Sequence, residues 1–510
     1  MNGQRHAHIG RNRRAGVGRI LGALAFAILA VVSTPSQQLP LSAWLETALR
    51  QSRPDNLHII WVYFKDKGSA TAGRAGSSSA LSARALTRRA LRARLRAEAA
   101  VEDLALERTY VEMVARYVTR LRHQSRWFNA VSAEATAAQV RAIAGLPFVS
   151  HVDLVKRYRR PREEPIEPLE PQPRGVRAES RATRLDYGTS FMQVAQIGVP
   201  DLHDRGLTGA GVVVAVFDTG FPNLSHEAFT RLNVAAEHDF TTGRDTVRNS
   251  THSHGTATLS VLGGMHQGHL IGPAFGATFL LAITEDVRSE TPVEEDNWAV
   301  AAEWAERMGA DVINSSLGYL DFDLPFTSYT DRDMNGETAL TTRAATMAAA
   351  RGVVVVSSAG NGGFRADRNT LVAPSDGRLV IAAGAVDVMG NRAVFSSVGP
   401  TADGRFKPDV VALGVNAKVA SPSGPDSYAL ANGTSFSSPL TAGAVALLLE
   451  AHPTYTVEQV LSALRSTASQ ASAPNNLLGW GIVNAAAALD ADLTRPTVAP
   501  LISERALGGR

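Results

Sequence analysis

The chain has 510 residues, of which 45% are hydrophobic and 19% are charged. This composition is typical of a soluble globular protein with two or three domains. The net charge of +3 is small for this length, and no basic stripe with aromatic residues accompanies the motifs, which argues against nucleic-acid binding. The chain has no cysteine, so disulfides and thiolate sites are excluded.

Residues 1–34 have the pattern of an export signal. Five arginines precede an apolar run over residues 20–32, and the small residues Ser33 and Thr34 follow it. This order predicts a secretory signal peptide and a secreted, periplasmic or otherwise extracytoplasmic protein. The run is short for a membrane span. We expect no membrane contact after signal cleavage, but retention of the segment as an uncleaved anchor stays open.

Residues 41–160 predict a small α+β module. Three runs rich in β-branched and aromatic residues predict strands, and two stretches with helical spacing predict helices. In chain order these are strand His58–Phe64, the helical residues 80–122, strand Trp127–Val131, helix Glu134–Ala144 and strand Phe148–Val155.

The helical residues 80–122 carry many arginines, among them Arg84, Arg88, Arg92 and Arg96. We expect these side chains to form a solvated face, because runs of charge on a helix usually face water; a nucleic-acid patch is the alternative.

Residues 161–185 are dense in proline and charge. Such a segment cannot bury apolar surface, so it predicts an exposed linker and the place where a protease cuts most easily. The final residues, 491–510, hold two prolines and no periodic pattern, and they predict a tail.

Residues 186–490 predict an α/β domain with a parallel sheet covered on both faces, because short apolar strands alternate with helices. The predicted strands are Val212–Phe217, Thr278–Ile283, Val312–Asn314, Val353–Ser357 and Leu379–Ala383. The predicted helices are Trp298–Met308, Thr341–Ala350, Ser435–Glu450, Val457–Ser466 and a last turn at Asn484–Asp490.

Asp218 follows the apolar strand and begins an Asp-Thr-Gly sequence. Open α/β sheets build their sites at the carboxyl ends of parallel strands, so Asp218 is a candidate functional residue; a simple turn aspartate is the alternative. An aspartic protease would need a second such carboxylate motif, and the chain has none. Gly209 and Gly211 precede the strand, whereas the glycines of a dinucleotide-binding loop follow it.

His254 lies among small residues at the start of a predicted helix, Gly255–Leu262. Small neighbours leave one edge of the imidazole open, as a catalytic base requires. A metal site is the alternative, with His252, His266 and His269 as further ligands. Their spacing is not H-E-x-x-H, and no cysteine or suitable acidic partner joins them, which argues against zinc.

Ser435 lies between a glycine turn and the apolar run Leu440–Leu449, which predicts a buried helix. In the first turn of such a helix, backbone N–H groups and the positive end of the dipole point outward. Ser435 is therefore either a helix N-cap or an exposed nucleophile. Asn361 follows the strand predicted over residues 353–357, and its amide is either part of a turn or a donor to an oxyanion.

Together, Asp218, His254 and Ser435 offer an orienting carboxylate, a base and a nucleophile, with Asn361 as oxyanion donor. Each residue stands where its role requires it, which favours nucleophilic hydrolysis by a serine. An esterase would carry a G-x-S-x-G turn, which Asn432–Phe436 lacks.

Three segments resemble the active-site motifs of subtilisin-like serine proteases, in that family's order of Asp, His and Ser. They are Val214–Gly220, His254–Thr256 and Gly433–Pro439. The resemblance implies a serine endopeptidase with a three-layer parallel sheet flanked by helices, polypeptide substrates and an acyl-enzyme intermediate. It implies that Asp218 orients His254, that His254 acts as base and then acid, and that Ser435 attacks. Asn361 and the Ser435 N–H would bind the oxyanion.

The resemblance extends to two substrate-binding segments, an edge segment that pairs with an extended peptide and the wall of the main specificity pocket. The residues concerned are Ser316, Leu317 and Gly318 for the edge segment and Ser358, Ala359 and Gly360 for the wall. Two positions depart from the family pattern. Leu440 stands where a histidine is common, and Val411–Gly414 replaces a Thr-Ala-Pro-Gly sequence.

Residues 41–160 look like the family's inhibitory propeptide, by position and element order. The resemblance implies a self-processing zymogen that is cut in the linker 161–185 and inhibited by its own N-terminal module. It implies no cofactor for catalysis; structural calcium is common in the family but cannot be placed on acidic loops here, so metal binding stays open. The rival hypothesis, a catalytically silent binding protein with this fold, is disfavoured because all four site residues are present.

Overall fold

In a computed structural model of the chain, the structure describes residues 39–68, 81–93, 101–155, 157–158, 167–168, 183–286, 293–321 and 328–493. The predicted export signal, most of the predicted linker and the tail from residue 494 lie outside these ranges. Within the described ranges, no helix is long and apolar enough to cross a membrane.

In its described residues, the N-terminal module is an antiparallel four-stranded sheet, in the order β2-β3-β1-β4, with four helices. Its elements are α1 (Ala43–Gln51), β1 (His58–Phe64), α2 (Ala83–Arg92), α3 (Arg108–Tyr117), β2 (Arg120–Ser125), β3 (Ala130–Ala135), α4 (Ala137–Ala144) and β4 (Val149–Leu154). The predicted strand over residues 58–64 is confirmed. A capping box between Thr136 and Gln139 begins α4, so this helix starts three residues later than predicted.

Two predictions for the module are wrong. Residues 80–122 do not form one helical stretch, because α2 and α3 are separate and the chain pairs with β3 from Arg120 onwards. The strand predicted at Trp127–Val131 begins only at Ala130. Residues 126–129 form the turn between β2 and β3, where Asn129 has φ +49°, a conformation that asparagine tolerates. Trp127 and Phe128 are buried in this turn. An apolar run in the sequence does not distinguish a buried turn from a strand.

The C-terminal domain contains the remaining elements. Two short linker strands precede it, β5 (Arg157–Tyr158) and β6 (Glu167–Pro168). Its strands are β7 (Val213–Asp218), β8 (Asn233–Asp239), β9 (Met265–His266), β10 (Leu270–Ile271), β11 (Thr278–Ile283), β12 (Val293–Glu294), β13 (Val312–Ser315), β14 (Val354–Ser358), β15 (Val380–Val386), β16 (Val410–Leu413), β17 (Ala417–Ala420) and β18 (Tyr428–Ala431). Its helices are α5 (Phe191–Ala195), α6 (Val199–Asp204), α7 (His254–Gly263), α8 (Glu295–Met308), α9 (Leu340–Ala350), α10 (Thr434–Ala451), α11 (Val457–Thr467) and α12 (Ala485–Leu489).

A parallel seven-stranded sheet forms the centre of this domain, in the order β16-β15-β14-β13-β7-β11-β8. The predicted fold class, a parallel sheet between helical layers after a small α+β module, is confirmed, as are the five predicted strands within a few residues. Strands β8 and β16 were missed. β8 is a partly exposed edge strand with polar residues, so its apolar pattern is weak. β16 is apolar and buried, but a run of four residues is too short for periodicity to identify it as a strand.

Side chains of the interior strand β7 alternate between two cores. Val214 and Val216 pack in the core that contains α7 and α10, whereas Ala215 and Phe217 pack in the core that contains α8 and α9. This period of two is the geometry of a strand covered on both faces. Aromatic residues of the module, including Trp61 and Trp127, belong to the α8–α9 core, so the module completes that layer.

Candidate active site

Asp218 and His254 form a hydrogen-bonded pair at the carboxyl edge of the sheet. Asp218 is the last residue of β7, and His254 is the first residue of α7. The His254 Nδ1 atom lies 2.7 Å from Asp218 Oδ1, and both side chains are buried. By the alternation along β7, Asp218 shares a face with Val214 and Val216, which is the face that α7 covers. The strand therefore directs the carboxylate at the helix that carries the imidazole.

Other donors hold the Asp218 carboxylate in place. The Thr258 hydroxyl donates to Oδ2 at 2.9 Å, and the Thr219 N–H donates to Oδ1 at 2.8 Å. With both oxygens fixed, His254 is oriented so that Nδ1 faces the carboxylate and Nε2 lies on the opposite edge of the ring. Sequence reasoning missed Thr258, although it stands four residues after His254 and therefore on the same face of α7.

Ser435 lies in the first turn of α10, the helix that packs against α7. Gly433 has φ +146° and ψ 155°, a conformation that is essentially restricted to glycine, and it lets the helix begin at Thr434. The Ser435 hydroxyl donates to the Ser316 carbonyl at 3.2 Å. The ring of the next residue, Phe436, lies 6.0 Å from the His254 ring, between centroids.

Pro439 accounts for a second contact between α10 and Ser316. Proline has no N–H, so the carbonyl four residues earlier, that of Ser435, loses its donor within the helix. The Ser316 hydroxyl donates to this carbonyl at 2.9 Å. On the next turn, the Ser438 hydroxyl donates to Asn314 Oδ1 at 2.8 Å. These bonds fix the start of α10 against the end of β13.

The side-chain amide of Asn361 has a defined orientation. Its Oδ1 atom accepts the Thr434 N–H at 3.0 Å and the Thr434 hydroxyl at 2.9 Å. A backbone N–H can only donate, so the atom facing it must be the amide oxygen. The NH₂ group of Asn361 therefore points away from Thr434. Sequence reasoning missed Thr434 as the residue that sets this orientation.

The two predicted substrate segments lie next to each other. Ser316, Leu317 and Gly318 follow β13 directly, and the Ser358 hydroxyl donates to the Leu317 carbonyl at 3.3 Å. The second segment runs from the end of β14 through Ala359 to Gly360, whose N–H donates to the Thr434 hydroxyl at 3.3 Å. Both segments therefore contact the elements that hold Ser435. Their roles in substrate binding stay predictions.

The prediction that the arginines of residues 80–122 form a solvated face is wrong for Arg88 and Arg92, whereas the side chain of Arg84 is 41% exposed. Arg88 and Arg92 are 2% and 6% exposed, and Arg96 lies outside the described residues. The helical spacing does place Arg84, Arg88 and Arg92 on one face, but this face packs against α8 and α9. The nucleic-acid alternative fails for the same reason, because these side chains already have protein partners.

The α2 arginines bind the C-terminal end of α8. Arg88 donates to the Ala310 carbonyl at 2.6 Å and to the Arg351 carbonyl at 3.2 Å. Arg89 joins Glu306 on α8 to Asp103 in the module, at 2.8 and 2.7 Å. Carbonyl groups at a helix C-terminus carry partial negative charge and attract cations. Burial lowers the pKa of Arg88 to about 10 in spite of Glu306, so the guanidinium stays charged at neutral pH.

The N-terminal half of α8 binds the module's sheet. Asp296 accepts the Ser132 hydroxyl at 2.5 Å and Arg122 Nε at 3.2 Å. Burial raises the pKa of Asp296, but Arg122, His123 and the Ser132 hydroxyl outweigh it, so the pKa lies below its ordinary value. About two turns further along α8, Glu303 accepts the Ser125 hydroxyl at 3.0 Å.

The linker adds backbone pairs to the C-terminal domain. β5 pairs antiparallel with β12, and β6 pairs antiparallel with β18. β12 directly precedes α8, so an extended segment of the chain lies as an added strand on the domain. This is the mode by which extended peptides bind to exposed strand edges.

A family comparison matches residues 209–481 to the subtilase family of S8 peptidases and residues 59–168 to an S8 propeptide domain described for Bacteroidota. Subtilisin NAT from Bacillus subtilis subsp. natto is 34% identical over 313 residues, which cover 61% of this chain and 73% of that protein. A subtilisin from Bacillus pumilus is 33% identical over 308 residues, covering 60% of this chain and 99% of that protein.

Among solved structures, fervidolysin from Fervidobacterium pennivorans, a keratinolytic enzyme related to subtilisin, has a similar fold. The TM-score is 0.60 at 21% sequence identity, over 87% of this chain and 62% of fervidolysin. The aligned region covers more of this chain than the α/β domain alone, which supports the two-part architecture.

Proposed function

The chain belongs to the subtilase family and is a subtilisin-like serine peptidase with a propeptide, and on this premise we propose that Asp218, His254 and Ser435 are its catalytic residues. The observation that carries the proposal is the 2.7 Å hydrogen bond between His254 Nδ1 and Asp218 Oδ1. Ser435 stands in the first turn of a buried helix, and the ring of the next residue, Phe436, lies 6.0 Å from the His254 ring. Nucleophile, base and orienting carboxylate then stand in the roles that acyl transfer requires.

In the proposed reaction, Ser435 Oγ attacks the carbonyl carbon of the scissile peptide while His254 Nε2 takes the hydroxyl proton. Asp218 keeps the imidazole in the tautomer that accepts at Nε2 and stabilises the imidazolium that forms. His254 then donates the proton to the leaving amine, and an acyl-enzyme remains. Water attacks the ester with His254 again as base, and Ser435 regains its proton.

We assign the oxyanion site to the Asn361 NH₂ group and the Ser435 N–H. The Asn361 oxygen is occupied by Thr434, which supports an amide that donates away from the helix. The Ser435 N–H belongs to the first turn of α10, where backbone donors have no partner within the helix. Such preorganised donors stabilise negative charge that develops on the carbonyl oxygen.

In this proposal, the substrate is a polypeptide in an extended conformation. Ser316, Leu317 and Gly318 would pair with its backbone, and Ser358, Ala359 and Gly360 would line the pocket for the side chain before the cleaved bond. The proposed chemistry uses side chains and backbone N–H groups, and we infer no cofactor for it.

The precursor is a zymogen, and we propose that it is exported and that it processes itself within residues 161–185. The module would inhibit the domain intramolecularly. Its buried contacts at both ends of α8 support tight binding, and the β5–β12 pair supports delivery of the linker to the domain. The pattern of residues 1–34, which predicts an export signal, supports a secreted or periplasmic enzyme.

The test compares the full-length precursor with its Ser435→Ala variant. The parent is expected to convert to a shorter form and to hydrolyse unfolded casein, whereas the variant stays full-length and inactive. The expected loss of turnover is on the order of 10⁶, which is the effect of removing the catalytic serine in subtilisin itself. A parent that neither shortens nor cleaves casein, or a variant that does both, contradicts the proposal.

A further inference from the structure

A surface hairpin brings two histidines to a glutamate on a neighbouring turn. His266 ends β9, His269 lies in the connection to β10, and Glu227 begins a 3₁₀ turn. One ligand atom from each of the three side chains lies within 4.8 Å of the others. Within the part of the chain that the structure describes, this is the one group of three or more His, Cys, Asp or Glu side chains with such spacing.

A tyrosine completes the cluster. His266 Nδ1 lies 2.8 Å from Glu227 Oε1 and 2.9 Å from the Tyr428 hydroxyl, which donates to the same Oε1 at 2.8 Å. The His266 and His269 rings are parallel, with centroids 4.7 Å apart. The side chains of Glu227 and His266 are 31% and 35% exposed, so an ion from solvent can reach them without any opening of the core.

We propose that Glu227, His266 and His269 bind a divalent transition-metal ion, with Zn²⁺ as the preferred ion. Two imidazole nitrogens and a carboxylate oxygen form a donor set typical of zinc, whereas Ca²⁺ takes oxygen ligands. Sequence reasoning disfavoured zinc because the spacing of the histidines is not H-E-x-x-H and no cysteine or suitable acidic partner joins them. Glu227 supplies that residue from a distant turn.

The geometry needs only small side-chain shifts. Two ligand atoms at about 2.0–2.1 Å from a tetrahedral ion lie about 3.3 Å from each other. The His266–Glu227 distance of 2.8 Å would therefore open slightly, and the exposed His269 would close on the ion by side-chain rotation. The fourth position falls to a water molecule or to the Tyr428 hydroxyl.

A bound ion would join three elements that are distant in sequence. Glu227 belongs to the turn after β7, His266 and His269 to the β9–β10 hairpin, and Tyr428 to β18. The unfolded chain does not hold these ligands together, so binding stabilises the folded state. The site uses none of the residues proposed for catalysis and does not depend on the proposed reaction.

The experiment uses the full-length chain with Ser435→Ala, so that self-cleavage does not interfere. After dialysis against a chelator, ZnCl₂ is titrated by calorimetry, and the unfolding midpoint is measured with and without zinc. We expect a site of one ion per chain at this cluster and a midpoint that rises with zinc concentration. Replacement of both His266 and His269 by alanine is expected to weaken this binding by about 10- to 100-fold or more and to abolish the midpoint rise.

Two further variants keep the outcome interpretable. Glu227→Gln keeps an acceptor for Tyr428 but removes the charge, so it is expected to fold normally and to bind zinc more weakly. His238→Ala is the matched control, because His238 Nδ1 lies 2.6 Å from Asp245 Oδ1 in a comparable pair without a second histidine in that group; it is expected to bind zinc like the parent. If the double histidine variant and Glu227→Gln bind zinc like the parent, for example at His252 and His254, the proposal is wrong.

Discussion

The Ser435 centre and the arginine cluster of α2 both bury polar side chains, but they distribute their hydrogen bonds differently. In the cluster, both oxygens of Glu306 accept from Arg89 at 2.8 Å, and Arg88 binds the same carboxylate. At the Ser435 centre, Asn361 commits its oxygen to Thr434 and turns its NH₂ group outward.

This difference separates a contact that holds the chain together from one that, in our proposal, acts on a substrate. The cluster joins the module to α8 with charges that have their partners within the protein, so removing one partner leaves another charge buried. In our proposal, the Ser435 centre keeps its directional groups for the substrate. We therefore expect changes in the cluster to lower stability and changes at the centre to lower rate.

The largest effect is expected for Glu306→Gln. The side chain of Glu306 is 0% exposed and pairs with two buried arginines, so loss of its charge should lower the free energy of unfolding by about 3–5 kcal/mol. The substitution is made in the full-length Ser435→Ala chain, and urea unfolding measures the change in the free energy of unfolding. Glu112→Gln is the control, because its pair with Arg108 is exposed. Equal losses in the two variants would show that the buried cluster does not hold the module.

A comparable effect, on rate alone, is expected for Asn361→Ala. Loss of one oxyanion donor costs about 2.7–4 kcal/mol, or 10²–10³ in kcat, a magnitude measured in subtilisin itself. Steady-state kinetics of the processed enzyme on a peptide substrate measures it. Asn369→Ala is the control, since its amide donates to the Asp331 carbonyl and it should leave kcat unchanged. An Asn361→Ala enzyme with parental kcat would exclude the assigned oxyanion site.

A smaller effect is expected at the other end of α8. Asp296→Asn keeps the shape of the side chain but removes the charge that faces Arg122 and accepts from Ser132. Hydrogen bonds to charged groups contribute about 1.5–3 kcal/mol, so the loss should fall below that of Glu306→Gln. The same urea experiment measures it, with Asp245→Asn, whose side chain is 88% exposed, as the control. A loss larger than that of Glu306→Gln would show that the contacts at the N-terminal end of α8 contribute more to stability than those at its C-terminal end.

The smallest effect is a pH dependence from His123, whose Nε2 lies 2.7 Å from Asn297 Oδ1. Burial, with help from Arg122 and Arg120, lowers the pKa of His123 below its ordinary 6.5, although Asp296 opposes this shift. Below that pH the unfolded chain binds more protons than the folded chain. The contribution of His123 to the free energy of unfolding is therefore complete above about pH 6.5, and it is lost as the pH falls towards the lowered pKa of His123.

His123→Gln isolates this dependence, because glutamine can still donate to Asn297. The free energy of unfolding of the full-length Ser435→Ala chain is measured at pH 7.5 and at pH 5.5. The parent should lose more stability between these two values than the variant does. Identical losses would mean that the pKa of His123 is the same in the folded and unfolded states.

Much of the fold was predictable because its signals are local. The apolar strands and the long helix α10 are defined by runs of neighbouring residues, and Asp218 and Ser435 occupy the end of such a strand and the start of such a helix. The edge strand β8 escaped prediction, since a half-exposed strand has a weak apolar pattern. Trp127 and Phe128 were misassigned because burial against another part of the chain resembles the pattern of a strand.

By itself, the sequence determined the parallel sheet, the order of Asp218, His254 and Ser435, and the family. Tertiary structure alone decided which partners the polar side chains find. Arg88 meets Glu306 across 218 positions of sequence, so its helical spacing showed which face it shares but not what that face contacts. The same holds for Glu227 beside His266 and for Thr434 beside Asn361. Hydrogen bonds and ion pairs depend on distance in space, and folding alone sets that distance.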